Sequence, residues 1–219
     1  MMEEQRVEVF FDSLRPDYPD YLNALEKEAL RTEVPIIRRA TRDILRYLLK
    51  TQKPKRVLEV GTAIGYSALF MQYCLPSESE ITTIEKVEMR LVEARKNLEK
   101  YDDKNQITLL EGDATEVFQQ LCEKEETFDF IFMDAAKGQY LSFLPNVLQL
   151  LEIGGTLVSD NTLHDRDVIE SRYAVTRRDR TIHARMREYL YRLMHHEQLE
   201  TICLTEGDGM TISTKLEER

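Results

Sequence analysis

The chain has 219 residues, 42% of them hydrophobic, and a formal net charge of −10, which suits one globular domain and speaks against indiscriminate binding to nucleic acid. No apolar run approaches the ~20 residues of a membrane span, and the charged N-terminus is unlike a signal peptide, so the cytoplasm is the expected location. The three cysteines lie far apart without paired spacing, which argues against a zinc site and against a disulfide framework.

The spacing of apolar residues predicts helices in the first 50 residues and a regular alternation of strands and helices after them. Short apolar runs predict strands at 56–61, 80–85, 106–112, 128–134 and 155–160. Stretches of helical length lie between them, at 66–75, 87–101, 114–123 and 139–151. Strands that alternate with helices through short turns indicate a parallel sheet that is covered on both faces.

Two further strand-like runs flank Gly207-Asp208-Gly209 near the end of the chain and predict a β-hairpin there. No linker rich in Pro, Gly or Ser and no internal repeat divides the sequence. The prediction is therefore one α/β domain over residues 1–219. It has a helical N-terminal extension, 1–50, and a core that covers 54–219.

A glycine loop, LEVGTAIGYS, follows the first predicted strand, at the end of the sheet where open parallel sheets bind ligands. Gly61 and Gly65 allow a tight turn, but their G-x-x-x-G spacing differs from the G-x-G-x-x-G of dinucleotide sites. Glu59 precedes the loop and would repel a pyrophosphate while attracting an ammonium group. Glu85 ends the second strand and suits ribose hydroxyls, and Asp113 after the third could accept a hydrogen bond from adenine. These acids favour S-adenosylmethionine over NAD.

Acidic and amide side chains also end the next two strands. IFMDAAKGQY places Asp134 at a strand end with Lys137 three residues later, and the following strand ends in Asp160 and Asn161. If the two strands are neighbours, about 4.8 Å apart, the three oxygen-bearing side chains converge at one rim. Such donors suit Mg²⁺ or Ca²⁺ better than zinc. The competing interpretation is that Asp160 and Asn161 are capping or turn residues.

Taken together, VLEVGTAIGYSAL, TIE, GDA, IFMDAAKGQY and SDN resemble the metal-dependent S-adenosylmethionine O-methyltransferases, which include the catechol and caffeoyl-coenzyme A O-methyltransferases. The resemblance covers roughly residues 20 to 215. Within this class, GTAIGYSAL, DAAKGQY and EGDGMTIS look most like the bacterial tRNA 5-hydroxyuridine O-methyltransferases. The resemblance implies a Rossmann-like, seven-stranded sheet whose last strand is antiparallel, usually in a homodimer.

The resemblance also implies roles for individual residues. It places the cofactor on Ile37, Glu59, Gly61, Ser67, Glu85, Asp113, Ala114 and Asp134. It places Mg²⁺ or another divalent cation on Asp134, Asp160 and Asn161. Lys137 matches the lysine that acts as the catalytic base or orients the substrate, and an oxyanion-stabilising role is the alternative. The segment 34–37 would cover the methyl donor.

The acceptor is the least determined part of this prediction. Residues 166–192 carry eight arginines against four acidic residues, and Arg38, Arg42 and Arg46 recur every fourth residue on one face of a predicted N-terminal helix. Arginines beside a site suit phosphate contacts, here assigned to Arg177, Arg178 and Arg180. We therefore expect methylation of wobble 5-hydroxyuridine in tRNA to 5-methoxyuridine. The alternatives are a small-molecule catechol-type methyltransferase and a nucleotide-binding regulatory domain without catalysis.

Overall fold

The computed structural model describes residues 2–164, 166–205 and 207–217, so that Met1, Asp165, Glu206 (in the predicted hairpin turn), Glu218 and Arg219 lie outside it. Its centre is a seven-stranded sheet. The strands are β1 (Arg56–Val60), β2 (Glu80–Glu85), β3 (Ile107–Glu111), β4 (Phe128–Met133), β5 (Leu151–Asp160), β6 (Leu199–Leu204) and β7 (Met210–Lys215).

The strand order is β3-β2-β1-β4-β5-β7-β6. The first five strands are parallel to one another, and β7 is antiparallel to both of its neighbours, β5 and β6. Successive strands are added on one side of β1 as far as β3 and on its other side from β4 onward, and open α/β sheets leave a crevice for ligands at such a switch between β1 and β4. The predicted seven-stranded sheet with an antiparallel last strand is confirmed, and β6 and β7 form the predicted hairpin.

Helices cover both faces of the sheet. They are α1 (Met2–Ser13), α2 (Asp20–Arg31), α3 (Arg39–Gln52), α4 (Tyr66–Cys74), α5 (Glu88–Tyr101), α6 (Ala114–Glu123), α7 (Tyr140–Leu150) and α8 (Arg180–Met194), with single 3-10 turns at Lys137–Gln139 and Asp167–Ile169. In the described part of the chain, no helix combines the length and apolar character that a membrane crossing requires.

Two groups of buried apolar side chains form the core, one on each face of the sheet. Leu22 of α2, Leu45 of α3 and Phe70 of α4 belong to one group, which also contains Val57 of β1. The other group brings α6, α7 and α8 against the opposite face, where Leu58 of β1 points. Adjacent residues of a strand face opposite sides, which is why a short strand such as β1 serves both groups. The N-terminal helices α2 and α3 therefore share the core of the sheet.

Helix α3 differs from its sequence prediction in its start and in the role of one arginine. Residues 34–38 form no regular secondary structure, and Arg38, which is extended with φ −70° and ψ 160°, precedes the first helical turn. Arg42 is only 5% exposed and donates to Glu26 (2.9 Å) and to Tyr66 Oη (2.7 Å). It therefore anchors α3 to α2 and α4, and the prediction of an exposed Arg38–Arg42–Arg46 stripe is wrong at Arg42.

The ends of β1 and β4 approach each other closely at Gly61. Gly61 has φ +106°, and a Cβ atom added to it would lie 2.1 Å from the carbonyl oxygen of Asp134. The backbone N–H of Asp134 donates to the carbonyl of Val60 (3.0 Å), and this hydrogen bond holds the ends of β1 and β4 together. Only glycine combines the positive φ with the missing side chain that this contact requires.

We expect Gly61→Ala to destabilise the protein more than Gly154→Ala. Gly154 also has a positive φ (+80°), but nothing lies within 4 Å of an added Cβ there. The control should therefore show only the backbone cost, about 1–2 kcal/mol, whereas Gly61→Ala adds a steric cost of about 1–3 kcal/mol or more. Urea denaturation of both variants measures the difference. Equal losses of unfolding free energy would contradict the close approach.

Candidate active site

A cavity of about 450 Å³ lies at the carboxyl ends of the parallel strands. Seven of the residues predicted from the sequence line it: Gly61, Glu85, Asp113, Ala114, Asp134, Lys137 and Asn161. They come from five different connections in the chain, and the parallel arrangement of β1 to β5 brings them to one edge. In the order of the strands, the lining residues run from Asp113, which follows β3, to Asn161, which follows β5.

Glu85 is held rigidly at the end of β2. Its carboxylate accepts hydrogen bonds from the backbone N–H groups of Ala63, Lys86 and Val87, each at 2.9 Å. Three backbone donors fix the orientation of the side chain, and carboxylate lone pairs remain for a ligand. The residue is 7% exposed and forms part of the cavity wall. This geometry is compatible with two hydroxyl groups arriving from the cavity.

Asp113 begins α6 and accepts a hydrogen bond from the N–H of Thr115 (2.9 Å), as a helix N-cap residue does. Its other oxygen pairs with Lys86 Nζ at 3.0 Å. The Thr115 N–H, and after it the Lys86 ammonium, lower the pKa of Asp113 below its usual value. The carboxylate is therefore an ionised acceptor at neutral pH, with Ala114 beside it on the cavity wall.

Glu59 and Ser67 lie behind the cavity wall. Glu59 is completely buried on β1, and Thr83 Oγ1 donates to its Oε2. Burial raises the pKa of Glu59 to about 7, although the hydroxyls of Ser67 and Thr83 act in the opposite direction. The second oxygen, Oε1, is buried and has no hydrogen-bond partner among the described residues. A buried carboxylate with a free oxygen is a site that a cation or ammonium group would stabilise.

Ile37 does not line the cavity. Its side chain is 6% exposed and packs in the core group of α2, α3 and α4. The two preceding residues, Pro35 and Ile36, line the cavity instead. The segment 34–37 thus borders the cavity as the sequence predicts, but through residues one or two positions earlier than Ile37.

The three oxygen-bearing side chains at the ends of β4 and β5 lie together, with Asp134 and Asn161 on the cavity wall and Asp160 buried outside the lining. The Asn161 amide nitrogen donates to Asp134 Oδ1 (3.2 Å), and Asp160 Oδ1 accepts from the Asn161 N–H (2.8 Å). Asn161 has φ +52°, a conformation that asparagine tolerates better than most residues. Asp160 Oδ1 also accepts from Thr41 Oγ1 of α3 (3.0 Å).

Asp160 is the strongest indication that this end of the cavity takes a cation. Burial, together with the nearby charge of Asp134, raises the pKa of Asp160 to about 6. Its Oδ2 is buried and accepts no hydrogen bond from any described residue. No cluster of three His, Cys, Asp or Glu side chains suited to a metal occurs in the described ranges. Three oxygen-bearing side chains are available to a cation only if the amide of Asn161 is counted with the carboxylates of Asp134 and Asp160. Oxygen donors of this kind fit Mg²⁺.

Lys137 lies in the 3-10 turn after β4, with its ammonium group at the cavity. Nζ donates to Asp134 Oδ1 (3.0 Å) and to Tyr140 Oη (3.1 Å). The side chain is 15% exposed, and two of the three N–H groups are thus engaged. One N–H remains for a ligand in the cavity that Lys137 lines.

Thr41, Tyr140 and the cavity residue Phe143 contribute to the site without having been predicted from the sequence. Tyr140 follows Lys137 by three residues, a helical spacing that could have suggested their contact. Thr41 is 119 residues away from Asp160 and carries no local signal of that contact.

The predicted RNA-binding arginines lie at the start of α8. Arg177 and Arg178 are exposed, while Arg180 is partly buried and its Nε has no hydrogen-bond partner in the described chain. Arg185, one turn into α8, donates to the carbonyl of Gly138 at 2.6 Å. The arginine segment is therefore attached to the turn that carries Lys137.

We expect Glu59→Gln to flatten the dependence of stability on pH. Glu59 stays protonated in the folded state up to about pH 7, whereas the unfolded residue, with a pKa of 4.5, ionises earlier. The folded state therefore binds more protons, and stability contributed by Glu59 is lost as pH rises from about 4.5 to 7, by an amount on the order of 3 kcal/mol. Asp160 acts in the same direction and remains in the variant. Urea denaturation at pH 5 and pH 7.5 measures the effect, and identical pH slopes would contradict it.

The O-methyltransferase family model matches residues 13–216. Tricin synthase 1 of Oryza sativa subsp. japonica is 31% identical to this chain, over 79% of this chain and 71% of the relative. The caffeoyl-CoA O-methyltransferase of Populus kitakamiensis is 30% identical, over 78% of this chain and 74% of the relative. A structure from Staphylococcus aureus shares 29% identity over 98% of this chain and 100% of that chain, with TM-score 0.85. The structure of a Podospora anserina methyltransferase bound to SAH shares 25% sequence identity, over 99% of this chain and 96% of that chain, with a TM-score of 0.83. The chain thus belongs to the O-methyltransferase family and is an S-adenosylmethionine-dependent enzyme.

Proposed function

We propose that this enzyme methylates one of two adjacent oxygen atoms on its acceptor, with a divalent cation held by Asp134, Asp160 and Asn161. The observation that carries the proposal is the buried, unpartnered Oδ2 of Asp160 beside Asp134 and Lys137. S-adenosylmethionine supplies an activated methyl group, and a divalent cation lowers the pKa of a hydroxyl group that binds to it. Adjacent oxygen atoms are what a chelating site of this kind selects.

The residues of the cavity wall would bind the cofactor in one orientation. Glu85, already fixed by three backbone donors, would accept hydrogen bonds from the ribose hydroxyls. Asp113 at the far end would accept one from the adenine amino group, and the free oxygen of Glu59 would stabilise the ammonium group. These contacts leave the reactive end of the cofactor near Asp134 and Lys137.

Lys137 would stabilise the acceptor oxygen after the hydroxyl proton, made more acidic by the cation, has passed to solvent water. Its Nζ already donates to Asp134 Oδ1 and to Tyr140 Oη, and a lysine ammonium group is a hydrogen-bond donor with no acceptor. The N–H that remains after the bonds to Asp134 and Tyr140 is available to a negatively charged oxygen. We therefore assign Lys137 the role of oxyanion stabiliser and not that of general base.

Asp160→Asn should weaken cation binding by at least about tenfold, because it removes one of the two carboxylates of the site. S-adenosylmethionine binding should change by less than about twofold, because the adenosyl contacts are a separate set of residues. The matched control is Asp129→Asn, at the opposite end of β4, where the carboxylate accepts from the N–H groups of Lys55 and Arg56. Electron paramagnetic resonance measures Mn²⁺ binding, and calorimetry measures the cofactor. Cation affinity that is the same in both variants would refute the assignment.

We propose 5-hydroxyuridine in a tRNA as the acceptor, because its O4 and 5-hydroxyl are adjacent oxygens and its phosphates suit exposed arginines. Within the described chain, the exposed arginines 172, 177 and 178 have no ion-pair partner. Some exposed arginines elsewhere are paired, such as Arg31 with Glu28 and Arg95 with Glu111. The three unpaired arginines lie in the segment that Arg185 attaches to the Lys137 turn.

Tyr173 supports the same proposal. It is 89% exposed in the middle of the arginine segment, and an aromatic ring that projects into solvent can stack on an unpaired base. Single-stranded RNA is commonly recognised by such stacking together with phosphate contacts.

A small molecule with two adjacent hydroxyls is the second candidate acceptor. The comparison supports this candidate, because the caffeoyl-CoA O-methyltransferase of Populus kitakamiensis is 30% identical to this chain. The same cation site and Lys137 would serve either acceptor. The two candidates differ in their need for the arginine segment, which a free catechol does not require.

The variant Arg177→Gln/Arg178→Gln should bind tRNA more weakly than the wild type. The slope of log affinity against log salt should become shallower by ~0.7–0.9 for each phosphate contact that is lost. Methylation of a free catechol should be unchanged, because neither residue lies in the cavity. Filter binding over a salt series measures tRNA affinity and its salt slope. Methylation assays with hydroxylated tRNA and with a catechol are run beside it.

Arg31→Gln is the matched control, since Arg31 is exposed but paired with Glu28. It should leave the salt slope unchanged. A double variant that binds and methylates tRNA like the wild type would remove the arginine segment from the proposal. Wild-type protein that methylates catechols but ignores hydroxylated tRNA would establish the second candidate.

A further inference from the structure

Tyr140 occupies a position that none of the roles above explains. It begins α7 and is completely buried. Its hydroxyl lies within hydrogen-bonding distance of Lys137 Nζ (3.1 Å), the N–H of Ala135 (3.3 Å), and the carbonyl oxygens of Met133 (2.9 Å) and Asp160 (3.1 Å). A single side-chain oxygen therefore connects the end of β4, the end of β5 and the reactive lysine.

The hydrogen-bonding capacity of a phenol determines which way these bonds run. The hydroxyl has one proton, which it donates to a carbonyl oxygen, and it accepts from the ammonium group of Lys137 and from Ala135. The ring also lies beneath the ammonium group, with Nζ 5.1 Å from the ring centroid. Lys137 is thus held by Tyr140 on one side and by Asp134 on the other.

We propose that Tyr140 is a positioning residue for methyl transfer. It holds the Lys137 ammonium group so that the one uncommitted N–H faces the acceptor oxygen, while Tyr140 itself touches neither substrate. The proposal rests on the oxyanion-stabilising role of Lys137 given above. It does not depend on whether the acceptor is a tRNA or a small molecule.

Tyr189 of α8 shows that burial alone does not define this role. Tyr189 is also completely buried, and its ring contacts that of Tyr140 edge to face at 5.4 Å between centroids. Its hydroxyl, however, bonds only to Ser159 Oγ (2.6 Å) in the described chain. The two tyrosines share a location in the core and differ in whether the hydroxyl reaches Lys137.

The test compares Tyr140→Phe with Tyr189→Phe. Wild-type enzyme is first assayed with hydroxylated tRNA and with 3,4-dihydroxybenzoate, and the acceptor that it methylates is used for both variants. We expect kcat to fall about ten- to a hundredfold in Tyr140→Phe, with KM for S-adenosylmethionine within about twofold, because misplacement of a reactive group acts on the chemical step. Tyr189→Phe should keep the wild-type kcat. Failure of the wild type on tRNA would count against the proposed acceptor and leave this comparison intact.

A double-mutant cycle with Lys137→Ala separates positioning from a general loss of structure. If Tyr140 acts through Lys137, the variant Tyr140→Phe/Lys137→Ala should have the kcat of Lys137→Ala alone. Losses of kcat that multiply would overturn the proposal, as would an equal loss of kcat in Tyr189→Phe.

A measurement on the wild type tests the proposal if Tyr140→Phe does not fold. In protein labelled with ¹⁵N-lysine, an ammonium group held by Asp134 and Tyr140 should give a slowly exchanging side-chain signal that is missing from Lys137→Ala. Wild-type spectra without such a signal would show that Lys137 is not held in place and would overturn the proposal.

Discussion

The contact between Gly61 and the carbonyl of Asp134 is the constraint on which the active site depends. It brings the loop after β1 and the end of β4 closer than any side chain at position 61 would allow. The loop and the chain end that carries Asp134 and Lys137 therefore form one continuous surface. Residues from both sides of this contact line the cavity, among them Gly61, Ala63, Asp134 and Lys137.

Negative charge is concentrated at this edge of the sheet at a cost to stability. Burial raises the pKa of Glu59 to about 7 and that of Asp160 to about 6, and each retains one buried oxygen without a partner in the described chain. A folded protein keeps such groups where a ligand supplies the missing partner. The proposed reaction requires two positive groups, an ammonium group and a divalent cation, and each of them would supply a partner to one of these oxygens.

Two sets of arginines in this acidic protein have different physical roles. Arg42 is buried, paired with Glu26 and placed 4.6 Å over the Tyr18 ring, so it holds α2, α3 and α4 together. Arg177 and Arg178 are exposed and unpaired within the described chain. The first group stabilises the N-terminal helices, from which Thr41 reaches Asp160, and the second is available to a polyanion.

Local patterns were sufficient to determine the elements and the chemical character of the site. Helix α6 begins and ends where the apolar spacing predicts, at 114 and 123, and acids at the ends of successive strands marked the edge of the sheet as the ligand side. Parallel strands place their carboxyl ends together, so residues as distant as Glu85 and Asp134 could be assigned to one cavity from the sequence. The start of β5 at Leu151, four residues early, was missed because Gly154 and Gly155 interrupt its apolar pattern.

Only the tertiary structure decided which side chains meet across the core. No spacing reveals that Thr41 bonds to Asp160, that the Tyr140 hydroxyl joins two strand ends to Lys137, or that Arg42 is buried while Arg177 is exposed. The same holds for Ile36, which lines the cavity where Ile37 does not. Periodicity reports the conformation of neighbouring residues, but a contact between distant residues depends on how whole helices and strands pack against one another.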